Sequence, residues 1–356
     1  MKLAVLGVGG AGCRLADQLA AAEPDDRQYL AETSAFDTDI ESLGRLEVEQ
    51  ENRHAFGSSA RSTGDAVAVR EAAEANALEL RQAASDAVPS DAAGVLVTVG
   101  VGGATGAGAA PVLVDALKER IGKPVYALTV IPGTDDTAAV ENARVGLLGL
   151  EATVDAQLLF DNDVLDVPEE RPPDAEAATA YADANATIEE WLRPLFTAGE
   201  ASTAAAVGET VVDASEIIAT LGEGGYATMG YTRTQVREPA SFLDRLLSRS
   251  ETPDKIESYS TIETAVQRAL FRHRSLDCDL SRTSRALVVT AGPPAWLNRE
   301  AIADARGTVA RETAGSTVRG GDTPIEDGTD LILLVLCAGM NRPDRVASLV
   351  TDQSVA

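Results

Sequence analysis

The residues best placed to do chemistry in this 356-residue chain are two glycine-rich turns. The first turn, Gly7-Val-Gly-Gly-Ala-Gly12, has the spacing G-x-G-x-x-G. The second, Gly102-Gly-Ala-Thr-Gly-Ala-Gly108, lies in a stretch without a charged residue from Val95 to Val114. Each turn follows an apolar run that reads as a buried parallel strand, and each precedes a helical pattern. Such a junction leaves backbone N–H groups free at the positive end of a helix dipole, where they favour an anion, most often a phosphate. Glycine lets that anion approach because no Cβ stands in the way. Thr105, the only hydroxyl in the second turn, adds a further donor. Two turns from neighbouring strands can cup one polyphosphate from both sides. Transfer of a phosphoryl group to water also needs a residue that orients the attacking water in line with the leaving oxygen. The first half of the chain holds phosphate donors but no obvious residue for that role. Further along, Asp213-Ala-Ser-Glu216 reads as a capping box ahead of Ile217 and Ile218, a role that can coexist with a second one.

The elements that must hold these groups alternate strand and helix. Lys2–Gly7 reads as a first strand and Gly12–Ala22 as a helix, with a second strand ending near Phe36. Asp65–Ala87 has the composition of one long helix. Gly94–Gly100 is a strand and Ala109–Arg120 a helix closing on basic residues; Pro124–Ile131 and Ala156–Phe160 are strands flanking a helix over Thr137–Thr153. This order predicts an α/β fold with a parallel sheet covered on both faces, whose ligand lies at the carboxyl ends of the strands. An acidic, proline-bearing connection over Pro168–Asp174 leads to a helix over Tyr181–Phe196, which Pro194 should kink or break unless compensated. The second half reads as a smaller α+β unit. It has a loop over Arg233–Ser258 around a short helix near Phe242–Leu247, strands at Ala286–Ala291 and Leu331–Leu336, and a helix over Asn298–Thr313.

Composition narrows the class. Fifty-six acids against 30 bases give a formal charge of −26, and only Lys2, Lys118, Lys123 and Lys255 are lysine. Acids scattered along the whole chain keep a protein hydrated where salt screens charge, and this reads as adaptation to a salty cytoplasm, with a merely acidic protein as the alternative. The same charge argues against a nucleic-acid groove, which needs a basic stripe. Cys13, Cys278 and Cys337 show no metal or disulfide spacing and fit reduced thiols in a cytosolic protein. No signal peptide precedes the first strand, and the longest apolar run, Leu331–Ala338, is too short to span a bilayer. A P-loop is excluded, since no Gly-Lys-Ser/Thr follows either turn. Asp37 and Asp39, near the end of the second strand, stand where a dinucleotide fold keeps its ribose-binding acid, so a nicotinamide-dependent oxidoreductase is one reading. The second glycine turn is foreign to that fold and favours a nucleotide held between two turns; a nucleotide-binding regulator that never polymerises is a third reading.

The second turn, followed by Ala109-Ala-Pro111, is similar to the GGGTGTG signature of the tubulin and FtsZ superfamily. Gly7–Cys13 resembles its first phosphate loop and Phe36-Asp-Thr-Asp39 its second. Within the superfamily, several further segments resemble CetZ, the tubulin-like family of salt-loving archaea. They are Ile131-Pro-Gly-Thr-Asp-Asp136, Phe160-Asp-Asn-Asp163, Leu195-Phe-Thr-Ala-Gly-Glu200, Val211-Val-Asp-Ala-Ser-Glu-Ile-Ile218, Ala291-Gly-Pro-Pro294 and Val318-Arg-Gly-Gly-Asp322. They occur in the family's order from the first residues to about residue 340. Arg14 and Asp37 replace asparagines usual in FtsZ, and Ser62-Thr-Gly-Asp65 departs from the family's third loop.

The resemblance implies a GTP-binding domain over 1–178, a central helix over 179–200 and a C-terminal activation domain over 201–356. It implies GTP or GDP as ligand, with Mg2+ held mainly through phosphates and water, and head-to-tail self-association into protofilaments that act in cell shape. By position, Gly9, Gly10, Ala11, Gly12 and Cys13 match the first phosphate loop, and Gly103, Ala104, Thr105 and Gly106 the signature loop. Asp135, with Asp136 as its competitor, matches the ribose contact; Asn162 and Asn185 match the guanine-reading amides and Tyr181 the stacking aromatic. The resemblance also implies that Glu216, oriented by Asp213, acts on the nucleotide of the next subunit, so that the hydrolytic site is shared. The chain ends soon after its last helix, without the linker and terminal peptide by which FtsZ reaches membrane anchors.

Overall fold

The segment Leu3–Val8 is apolar apart from one glycine, and as β1 it is buried on both faces, as a central parallel strand must be. The computed structural model describes residues 2–25, 27–57, 64–134, 137–165, 182–198, 212–236, 255–326 and 328–351. Among these, the further strands are β2 (Leu30–Asp37), β3 (Arg53–Ala55), β4 (Gly94–Gly100), β5 (Val125–Ile131), β6 (Ala156–Asp161), β7 (Tyr226–Gln235), β8 (Arg285–Gly292), β9 (Thr317–Pro324) and β10 (Asp330–Met340). The α-helices of the first half are α1 (Gly9–Ala21), α2 (Ile40–Gly44), α3 (Ala66–Ala75), α4 (Ala77–Asp86), α5 (Ala104–Lys118) and α6 (Thr137–Thr153). Those that follow are α7 (Ala182–Thr197), α8 (Ala214–Leu221), α9 (Lys255–Phe271), α10 (Arg299–Glu312) and α11 (Asp344–Val350).

All ten strands join one sheet in the order β3-β2-β1-β4-β5-β6-β7-β10-β8-β9. Pairing is parallel from β3 through β7, antiparallel where β10 lies between β7 and β8, and parallel again between β8 and β9. The chain's direction of travel across the sheet reverses between β1 and β4. In open α/β sheets that reversal opens a crevice at the carboxyl ends of the strands. Both glycine turns stand there. Side chains alternate across the sheet with period two. Ala4, Leu6 and Val8 join Val69, Leu113 and Leu147 on the face covered by α3 to α6 and α11. Leu3 and Val5 face Leu15, Leu19, Ile188 and Ile217 on the opposite face, covered by α1, α7 and α8. A third cluster packs Ile262 and Val266 of α9 and Val309 of α10 against Leu333 and Val335.

The structure departs from the sequence reading in several places, beginning with α1 and α5, which start at Gly9 and Ala104 rather than at Gly12 and Ala109. The long helix over Asp65–Ala87 is two helices, α3 and α4, parted at Asn76, whose side-chain amide donates to Ala72 O at 2.7 Å. The helix around Pro194 runs unbroken from Ala182 to Thr197, because a proline in the last turn forfeits only one hydrogen bond. Arg233 belongs to β7 rather than to a loop, and α9 begins at Lys255; the short helix expected near Phe242–Leu247 lies outside the described residues. Val318–Asp322 lies in an edge strand, β9, whose proline closes it. Among the described residues no helix is long and apolar enough to cross a membrane.

Candidate functional site

The site is built from two helix starts that lack the usual caps. Asp39, Asp65, Asp213 and Asn298 cap α2, α3, α8 and α10 through their side chains. By contrast α1 follows Val8 and α5 follows Gly103, with no side-chain cap and no acid in either first turn. Their first N–H groups therefore remain available to a ligand, at the positive ends of two dipoles. The two turns touch. Gly9 has φ +70°, and a Cβ there would lie 2.6 Å from Gly106 N. A Cβ on Gly12 would strike Thr98 O at 2.1 Å, and one on Gly106 would strike Gly100 O at 2.6 Å. Gly9 thus brings the two helix starts together, and Gly12 and Gly106 bring helix and strand backbones together. Gly10 and Gly103 differ: a Cβ on Gly10 would meet only side-chain ends, Arg14 Nη1 at 3.3 Å and Asp37 Oδ2 at 3.8 Å, and one on Gly103 only Gly100 O at 3.9 Å. Ala11 and Gly103 are exposed and Gly10, Ala104 and Thr105 half-buried, so these five line an open cradle. Cys13 is buried, its thiol donating to Gly7 O at 3.3 Å and Phe36 O at 3.5 Å; burial pushes its pKa upward.

Contacts that spacing could not reveal brace this cradle. Thr38 and Thr105 share a hydrogen bond between their hydroxyls at 3.0 Å, tying the loop after β2 to the second turn. Asn142, buried on α6, accepts from Ala66 N at 3.0 Å and donates to Gly102 O at 3.1 Å and Gly64 O at 3.3 Å. It fastens the segment before α3 to the second turn, while Arg345 of α11 grips the loops after β5 and β6. Asp37 is buried beneath the cradle, and its carboxylate accepts from Thr38 N at 2.7 Å and Asp39 N at 3.2 Å. Burial raises its pKa; those bonds and the Arg14 charge oppose the rise. Arg14 Nε is buried with no hydrogen-bond partner among the described residues.

Further along the same edge, Asn162 follows β6. Its N–H donates to Ile131 O at 3.1 Å, while its side-chain Oδ1 is buried without a hydrogen-bond partner among the described residues. Asn185 is buried on α7, the helix that packs on α1 and on strands β8 and β10. Tyr181, Asp135 and Asp136 lie outside the described residues.

The acid pair stands apart from the cradle. Asp213 caps α8, accepting from Glu216 N at 3.0 Å and from the Ser215 hydroxyl at 2.6 Å. The Ser215 hydroxyl first, and then the Glu216 N–H, hold the Asp213 carboxyl below its usual range. Glu216 places Oε1 3.6 Å from Arg319 Nη1, and its Oε2 is buried without a hydrogen-bond partner among the described residues. Helix α8 packs on β8 and β10, and β10 is four strands from β4. At the spacing of adjacent strands that separation is about 20 Å.

Residues 174–354 match the family model for the C-terminal domain of tubulin-like CetZ, and residues 2–167 match the GTPase domain of the tubulin/FtsZ family. Tubulin-like protein CetZ5 of Haloferax volcanii is 34% identical, the alignment covering 98% of this chain and 90% of that protein. Among solved structures, a GDP-bound monomer of CetZ1 from Haloferax volcanii is 28% identical with a TM-score of 0.82, covering 98% of each chain. A GTPγS-bound protofilament of CetZ2 from the same organism is 31% identical with a TM-score of 0.81, covering 98% of this chain and 96% of that one.

Proposed function

The chain belongs to the tubulin-like CetZ family, within the tubulin/FtsZ superfamily of polymerising GTPases, and on that premise we propose how its residues share the chemistry. The GDP-bound and GTPγS-bound relatives extend guanine-nucleotide binding and self-association to this chain. The backbone N–H groups of Gly10, Ala11, Gly103, Ala104 and Thr105 donate to the phosphate oxygens, while Gly9, Gly12 and Gly106 permit the packing that aims them. Cys13 contributes structure through its buried thiol. Because the cradle offers mostly N–H donors, Mg2+ would take its oxygens mainly from phosphates and water, where it offsets phosphate charge. Asn162 and Asn185 read the guanine edge, Tyr181 covers the base and Asp135 meets the ribose. The unpartnered Oδ1 of Asn162 supports its part in this assignment. The nicotinamide oxidoreductase and the non-polymerising regulator give way to the family assignment.

Hydrolysis is completed by a neighbour. The observation that carries this reading is that α8 packs on β8 and β10, strands that lie about 20 Å or more from β4 by strand spacing. Glu216 can then orient a water only against the γ-phosphate of an adjoining subunit, with Asp213 fixing the start of its helix. The resulting filament, assembled in the cytoplasm, serves cell-shape control.

Glu216→Gln tests the assignment. GTP turnover should nearly vanish while nucleotide affinity stays unchanged, and filaments should persist. In the unaltered protein, activity per subunit should rise steeply with concentration. Constant specific activity down to dilute monomer, with Glu216→Gln still active, would refute the shared site.

A further inference from the structure

The last described helix, α11, carries Arg345 back to the ends of β5 and β6. Its guanidinium is 14% exposed and meets Asp161, 3% exposed. Nε donates to Asp161 Oδ2 at 2.7 Å, and Nη2 donates to Pro132 O at 2.8 Å, Asp163 Oδ2 at 3.1 Å and Asp161 Oδ1 at 3.3 Å. One side chain thus grips two loops. The loop after β5 is held a second time, since Thr134 N–H donates to both Asp163 oxygens at 3.2 and 3.3 Å. In the loop after β6, Asp163 N–H donates to Asp161 Oδ1 at 3.1 Å. Asn162 stands between the two acids. Helix α11 packs on α6, and its neighbour Arg342 pairs with Glu151 of α6, so the guanidinium is anchored from behind.

We propose that Arg345 is a positioning residue, holding Asn162 and the loop after β5 in place for the nucleoside end of a bound guanine nucleotide. The proposal rests on the reading of Asn162 as a base contact. Its physical ground is electrostatic. Asp161 and Asp163 are like charges two residues apart, one of them buried, and they keep their present arrangement because a cation lies between them. Without it the acids part, and Asn162 moves with them. A planar fork is needed to reach two carboxylates and a carbonyl together, which a lysine ammonium cannot do in the same geometry. A residue of the C-terminal half thereby shapes the base site of the N-terminal half.

The test compares Arg345→Met, Arg345→Lys and Asp163→Asn with the unaltered protein in GTP, GDP and ATP binding, below each variant's melting point. The phosphates sit on the β1 and β4 turns, so Arg345→Met should weaken GTP and GDP alike, by about tenfold. It should narrow the preference for GTP over ATP and leave the GTP-to-GDP ratio within about twofold. Arg345→Lys should rescue part of the loss, and Asp163→Asn, which keeps an acceptor for Thr134, should lose less than Arg345→Met. Lower melting points with unchanged guanine affinity and preference across the folded variants would overturn the proposal and leave the base assignment standing. An unaltered protein that binds GTP and ATP equally would overturn both.

Discussion

Replacing Gly103 with alanine separates the packing of the second turn from its approach to phosphate. Gly103 has φ −86° and ψ 139°, which alanine adopts without strain, and the nearest atom to an added Cβ is Gly100 O at 3.9 Å. Two stability effects oppose each other. Alanine restricts the unfolded chain, a gain of about 0.4–1 kcal/mol. It is also a poorer helix N-cap than glycine, a loss of roughly the same size. The melting point should therefore stay within about 2 °C of the parent. Binding should not survive so well. The methyl projects into the open side of the cradle, and displacing a phosphate oxygen from one charged hydrogen bond costs about 1.5–3 kcal/mol, or about 10- to 150-fold in affinity. Gly12→Ala should behave in the opposite sense. Its Cβ would stand 2.1 Å from Thr98 O, so α1 must shift off β4, at a cost of about 1–3 kcal/mol or more. The assay is titration with a fluorescent guanine nucleotide at molar potassium chloride, beside melting scans of nucleotide-free protein. Gly103→Ala binding GTP as tightly as the parent would refute the cradle as the phosphate seat.

Asp37→Asn should raise the melting point at pH 7, because the carboxylate is buried and asparagine keeps an acceptor for Thr38 N. The folded-state pKa of Asp37 is raised, so its penalty appears as pH climbs above the ordinary carboxylate range, and the advantage of the asparagine variant should shrink towards pH 4; equal melting points at pH 7 would contradict this. With a formal charge of −26, the unaltered protein should melt progressively higher as potassium chloride rises from about 0.1 M to molar levels, where the Debye length falls from about 10 to 3 Å. A flat dependence would show that the acidity is no salt adaptation.

What the sequence by itself determined is local. Apolar runs such as Leu3–Val8, glycine turns between strand and helix, and Asp213 three residues before Glu216 each act over a few residues, so their spacing is visible in the chain. The parallel sheet and the two-turn cradle follow from them. What only the tertiary structure decided depends on partners far apart in sequence. Strand β7 ends in Arg233–Gln235, which read as the start of a loop, yet it lies between β6 and β10, and its Thr228 is satisfied there by Ser275 at 3.0 Å. The glycines look alike in the chain, but Gly12 serves contact with β4 while Gly103 faces open space, a distinction set by Thr98, 86 residues from Gly12. Asn142 shows no motif, and its bonds reach 76 residues back to Ala66 and 40 back to Gly102. Arg345 lies 184 residues from Asp161. A buried polar group is satisfied by whatever the fold brings beside it, and that neighbour is fixed by chain topology rather than by local spacing.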